Sequence, residues 1–196
     1  MLASITPLGE RGRQSTWGTT VTAFALGASA TGMAAGAGLG ELGTRIIPRG
    51  VGAEPRLGVL VVALLGALVL DTFPRAVPGP SRQVNHSWLD EYRGWVYGLG
   101  YGAQLGLGAT TVVTSAGTYA ALVAALLSGS ALSGALIFGC YGAVRGITPL
   151  AAARIRTTGQ LLTAHVRLAR WRQAATWCGR AGLAAAAALA LAGWLG

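Results

Sequence analysis

Between Arg93 and Arg145 the chain runs for 51 residues without a single Asp, Glu, Lys or Arg. As one α-helix that interval would extend about 75 Å, more than twice the ~30 Å hydrocarbon thickness of a bilayer. It must therefore turn back, and Ser128-Gly129-Ser130 marks the place, because small polar residues interrupt an apolar run that resumes at Ala131. Two spans follow, at about 97–127 and 131–148.

Three further spans are readable. Trp17 to Gly40 is charge-free between Arg13 and Glu41. Leu57 to Leu70 is almost purely Leu, Val, Ala and Gly before Asp71 and Pro74, which gives a span at about 57–73. Ala181 to Leu195 is short but carries Arg180 and Trp194 as interfacial anchors. Only 11% of residues are charged, against about 25% in soluble proteins, so most of the surface is not built for water. The expected fold class is all-α: a polytopic transmembrane helical bundle of five to six spans. Residues 1–16 form a short cytoplasmic N-terminus and 17–196 a single transmembrane domain. A sixth span arises if 17–40 or 97–127 is broken, and both hold dense Gly and Thr, around Ala28 to Gly32 and around Gly106 to Thr111. The same glycines have another use, since Gly32, Gly36, Gly40 and Gly98, Gly102, Gly106 recur at four-residue spacing suited to close helix packing. Arg11 and Arg13 ahead of Ala28-Ser29-Ala30 resemble a cleaved export signal, but the apolar run continues to Gly40, which favours a retained first span.

The fifteen basic residues are all Arg, against six acids. They lie between apolar runs, where they orient a membrane protein rather than mark nucleic-acid binding. Residues 151–180 hold Arg154, Arg156, Arg167, Arg170, Arg172 and Arg180 with no acid, which predicts a cytoplasmic segment and an external C-terminus. Working back, the loop with Arg75, Arg82, Arg93, Asp90 and Glu91 is cytoplasmic, and the loop from Glu41 to Arg56 external. Apolar residues among the arginines of 151–180 recur at near-helical spacing. This predicts a basic amphipathic segment on the membrane surface, with Arg154, Arg156, Arg167, Arg170 and Arg172 meeting anionic headgroups; an ordinary basic loop is the other reading. The expected location is a bacterial cytoplasmic (inner) membrane, crossed several times.

Catalytic chemistry finds little to work with. Cys140 and Cys178 have neither metal-ligand nor CxxC spacing, and His86 and His165 lie in separate segments. The alternating glycines follow no strand and form no phosphate-binding turn. Asn85-His86-Ser87 matches a glycosylation sequon on the predicted cytoplasmic side. No enzyme, metal site or cofactor is expected. Ionisable and polar groups at membrane depth are the default functional candidates: Asp71, Gln104, Thr110, Thr111, Thr114, Ser115 and Arg145. Asp71 and Arg145 each end an apolar run shortly before a proline; they form a gate pair if those runs lie side by side, and interfacial anchors otherwise. A degenerate internal repeat is suggested by Leu26 to Thr31 against Leu105 to Thr110.

Tyr97-Gly98-Leu99-Gly100-Tyr101, Leu105 to Thr111, Ser128 to Leu136, Tyr141-Gly142 and Thr148-Pro149-Leu150 together resemble the fourth and fifth spans of the cytochrome c biogenesis transmembrane (CcdA/DsbD-type) family, and Ala23-Phe24 with the small residues after it resembles its first. That family moves reducing equivalents using a Cys beside Pro in each of two spans. Here 30–38 and 109–116 contain neither residue, so thiol exchange does not carry over. The resemblance implies a small-solute transporter or permease-like protein on that scaffold without thiol chemistry. The alternative is a non-catalytic membrane subunit that anchors a redox or cytochrome-biogenesis partner. Orientation gives the first prediction: a reporter fused after Gln160 should read as cytoplasmic and one after Gly196 as external, whereas the same side for both removes the last span.

Overall fold

The structure, a computed structural model, describes residues 5–73, 77, 92–108, 113 and 115–195. It is helical throughout, with no strand among the described residues. The helices are α1 (Pro7–Gly12), α2 (Trp17–Ile46), α3 (Ala53–Thr72), α4 (Gly94–Gly106), α5 (Gly117–Leu127), α6 (Ala131–Gly146) and α7 (Thr158–Leu195), with a 3-10 turn at Thr148–Ala152. Three are long and apolar enough to cross a membrane: Ala53–Thr72, Ala131–Ala152 with the 3-10 turn included, and Thr158–Leu195. A large apolar surface points outward from them, including Val62, Leu132 and Leu189, each at least 70% exposed. Soluble proteins do not leave such residues in water over whole helix faces, and the chain is a membrane-embedded helical bundle.

The long helix α2 is the axis of the molecule. Its buried residues are mostly glycines, Gly27, Gly32, Gly36, Gly40 and Gly43, and they lie where neighbouring backbones come closest. A Cβ on Gly32 would stand 2.7 Å from the Phe138 carbonyl oxygen, and one on Gly36, Gly40 or Gly43 would collide with the carbonyls of Gly134, Ser130 and Leu126. The partners descend by four as the glycines ascend, so α6 runs antiparallel to α2. On the other side Gly98, Gly102 and Gly106 of α4 meet the carbonyls of Thr20, Phe24 and Ala28, ascending together, so α4 is parallel to α2. Thr31 adds a cross-link, its hydroxyl lying 2.7 Å from the Gly27 carbonyl and 3.0 Å from that of Ala103. The four-residue glycine spacing thus serves close packing.

A second layer lies beside this core, where Val61, Leu64 and Ala67 of α3 pack with Ala120 of α5 and Ala187 and Ala190 of α7. Gly58 near Trp194, and Asp71 near Arg180, make α3 and α7 antiparallel.

Several expectations change here. The first apolar run is not broken at Ala28 to Gly32, since α2 passes through it unbroken; 97–127 is the interrupted one, as α4 ends at Gly106 and α5 begins at Gly117. The two stretches of the suggested repeat therefore differ, because Leu26 to Thr31 lies within a helix while Gly108, at φ +72°, leaves one. Helix α3 starts before Leu57, taking in Glu54, Pro55 and Arg56, and proline is tolerated in a first turn. Residues 158–180 continue into the last apolar run as a single helix. No proline stands between them, and Arg167, Arg170, Arg172 and Arg180 point around the helix rather than along one face. The short N-terminal segment contains α1 and packs Ile5 against Phe24 and Tyr97. The turn at Ser128-Gly129-Ser130 is as expected, with Gly129 at φ +56° and the Ser130 hydroxyl accepting from the Ser133 N–H.

Packing through α2 predicts a contrast between two glycines two residues apart. Gly36→Val should destabilise the detergent-solubilised protein by about 2 kcal/mol or more through overpacking. Gly38→Ala, with open space around it, should be neutral or stabilising by up to about 1 kcal/mol. Thermal unfolding of the two variants checks both signs.

Candidate functional site

Helix α4 stops well inside the length of α2, opposite Ala28, because Gly108 adopts the left-handed conformation that closes a helix C-terminus. The space is as restrictive as the dihedral: a Cβ at Gly108 would lie 2.9 Å from the Phe138 ring. The next helix begins only at Gly117, so α5 presents a free N-terminus within the bundle, whose first N–H groups lack helical partners. Asp71, at the end of α3, supplies acceptors. Its carboxylate takes the Ser115 hydroxyl at 2.7 Å and the Ala116 N–H at 2.7 Å. A carboxylate at a helix N-terminus is also favoured by the helix dipole. The Asp71 carbonyl, freed at the C-terminus of α3, accepts from Arg180 Nε at 3.1 Å and Nη2 at 2.5 Å. Asp71 therefore joins three helices: its side chain to α5, its backbone to α7, and its own α3.

On the other face of the α5 N-terminus, the buried Thr118 hydroxyl lies 2.9 Å from the Tyr141 phenol. Arg145 donates to the same phenol and its guanidinium lies over that ring, 5.4 Å from the centroid. Tyr141 stacks on Phe138 in turn. One turn of helix thus separates an acidic station, Asp71 with Ser115, from a basic one, Arg145 with Tyr141 and Thr118.

The sequence candidates divide accordingly. Asp71 and Ser115 are brought together. Arg145 bonds Tyr141, and among the described residues it forms no ion pair with Asp71, so the conditional gate pair is not formed. The reason is layering: α3 packs on α7 and α5, whereas α6 packs on α2. Gln104 lies half-buried on α4 and is engaged in interactions of its own. Thr110, Thr111 and Thr114 lie outside the described residues, as do His86 and the loop with Arg75, Arg82, Asp90 and Glu91. Arg154, Arg156, Arg167, Arg170 and Arg172 are all exposed. Cys140 and Cys178 are free and exposed, and no metal-binding cluster of His, Cys, Asp or Glu occurs among the described residues.

A third polar cluster escaped the sequence reading. Glu10 is fully buried at the end of α1, where its carboxylate accepts from the Thr20 hydroxyl at 2.8 Å, the Tyr97 phenol at 2.5 Å and Arg13 Nη2 at 2.8 Å. Burial alone would weaken the proton hold of the Arg13 guanidinium, but its bonds to Glu10 and Tyr97 prevail and raise its pKa above the usual range. The available signal was Thr6-Pro7, an N-cap and first-turn pair that starts α1, with Thr6 accepting from the Gly9 N–H at 3.0 Å. Compared with family models, curated proteins and solved structures, the chain matches none.

Removing one member of a buried ion pair leaves the rest uncompensated. Glu10→Ala should therefore cost about 3 kcal/mol, strand the Thr20 and Tyr97 hydroxyls, and detach α1. Limited proteolysis near Arg11 should then become fast, while the wild-type chain resists cleavage there.

Proposed function

We propose that the protein is a small-solute transporter or permease-like protein, with the solute passing the break between α4 and α5. The observation that carries this reading is the discontinuous helix. Unwound backbone within a membrane bundle is tolerated where it lines a cavity or is held by protein, and half-helix ends near the midplane are the usual binding stations of transporters. Asp71 at the N-terminus of α5 is the group suited to exchange a proton or cation, while Arg145 and Tyr141 present donors to an anionic part of the solute. The pathway also includes Gln104, Thr110, Thr111, Thr114 and Ser115.

In this reading α2, α3, the pair α4–α5, α6 and the C-terminal half of α7 are the five crossings, or six when α4 and α5 are counted apart. The N-terminus and the exposed arginines of α7 face the cytoplasm of a bacterial inner membrane, and the C-terminus faces outward. The scaffold resembles that of the CcdA/DsbD-type family, used here without thiol chemistry and without a cofactor. A second reading, a non-catalytic subunit anchoring a redox or cytochrome-biogenesis partner, has one feature in its favour: 165–179 of α7 is exposed on every side.

Proteoliposomes assayed for solute-driven proton movement, over a panel of amino acids, monosaccharides, organic acids and inorganic ions, test the proposal. At least one compound should give a flux that Asp71→Asn reduces by about tenfold or more, an expected loss of a charge-assisted contact, at equal incorporation. No flux above empty liposomes across the panel contradicts transport. Flux that Asp71→Asn leaves intact moves the pathway away from the break.

A further inference from the structure

Helix α7 begins at a capping arrangement in which the Thr157 hydroxyl accepts from the Gln160 N–H at 3.3 Å and Gln160 Oε1 accepts from the Arg156 N–H at 2.8 Å. The preceding chain, from the 3-10 turn to Thr157, is pinned to α1 by the Leu8 N–H, which donates to the Ile155 carbonyl at 3.2 Å. Between this strap and the first turns of α7 lies a groove of about 730 Å³. Its floor is apolar, with Ile155, Ala164, Leu168 and Trp171, and its rim carries Arg154 and Arg167. Trp171 is 64% exposed and Leu168 49% exposed, so none of the described residues covers that floor.

The position of the groove follows from the helix. Counting the ~20 residues of a spanning helix back from Leu195 puts the hydrocarbon boundary near Thr176. Trp171 then stands about 8 Å beyond it, at headgroup depth, where aromatic side chains collect. The charge is one-sided, since no Asp or Glu occurs anywhere from Leu150 to the end of the chain. An apolar floor with two arginines on its rim and no acid among its lining residues matches an amphiphile carrying a negative head.

We propose that this groove holds one anionic phospholipid, its phosphate between Arg154 and Arg167 and its glycerol and first acyl methylenes on Leu168, Trp171 and Ile155. Arginine suits the phosphate because its planar fork donates two parallel hydrogen bonds. The site is discrete, unlike the diffuse attraction of a basic surface to a charged membrane, in which any arginine contributes alike.

The test uses the full chain in a non-ionic detergent, where no charged surface exists. Native mass spectrometry with phosphatidylglycerol and phosphatidylcholine of equal chain length reads the binding. One phosphatidylglycerol should bind in clear preference to phosphatidylcholine. Arg154→Gln with Arg167→Gln should weaken it about thirtyfold. Arg170→Gln with Arg172→Gln, the same charge loss off the groove, should change it by no more than about threefold. Leu168→Asn, which keeps every charge, should also weaken it, and inorganic phosphate should not compete. Equal losses in the two double variants, equal binding of the two lipids, an unaffected Leu168→Asn, or displacement by inorganic phosphate would each overturn the proposal.

Discussion

Everything else in this bundle depends on how closely the backbone of α2 approaches its two neighbours. Lipid tails are as apolar as leucine, so helices in a membrane gain little from burying apolar side chains against one another and must associate by close contact and polar bonds. Here the contact is backbone against backbone, with glycines of α2 on the carbonyls of α6 and glycines of α4 on the carbonyls of α2. Because each row repeats every four residues, the contact persists along the helix and sets direction as well as distance.

With α4 and α6 packed on the axis, the third apolar segment does not run on as one helix. Helix α4 ends at Gly106, Gly108 leaves it at φ +72°, and α5 begins at Gly117. The restart leaves N–H groups without helical partners, and Asp71 takes one of them together with the Ser115 hydroxyl. Arg180 then covers the carbonyl of the same aspartate. The three helices of the second layer are thus joined through one residue, beside the break between α4 and α5.

Much of this was legible. The charge-free interval demanded a reversal and Ser128-Gly129-Ser130 supplied it; glycine spacing predicted close packing; Gly106 to Thr111 held the residues needed for a break. What could not be read was partnership across layers. Asp71 and Arg145 end apolar runs in the same way, yet one lies on a helix beside α5 and α7 and the other on a helix beside α2, which no local pattern encodes. Glu10 was hidden for a related reason, since a lone acid just ahead of Arg11 and Arg13 reads as part of a solvated tail until Thr20 and Tyr97 are brought to it by the parallel packing of α2 and α4. The arginines of α7 suggested a segment of their own because apolar residues recur among them, but they spread around the helix and no proline separates them from the last apolar run, so the two form one helix.

The central claim is that Asp71 clamps the start of α5 rather than pairing with Arg145. Cross-linking in native membranes tests it most directly, in a background with Cys140→Ser and Cys178→Ser. A chain carrying Asp71→Cys and Ser115→Cys should form an intramolecular link with a short thiol reagent, and one carrying Asp71→Cys and Arg145→Cys should not. Efficient linking of the second pair without the first would contradict the layering on which the account rests.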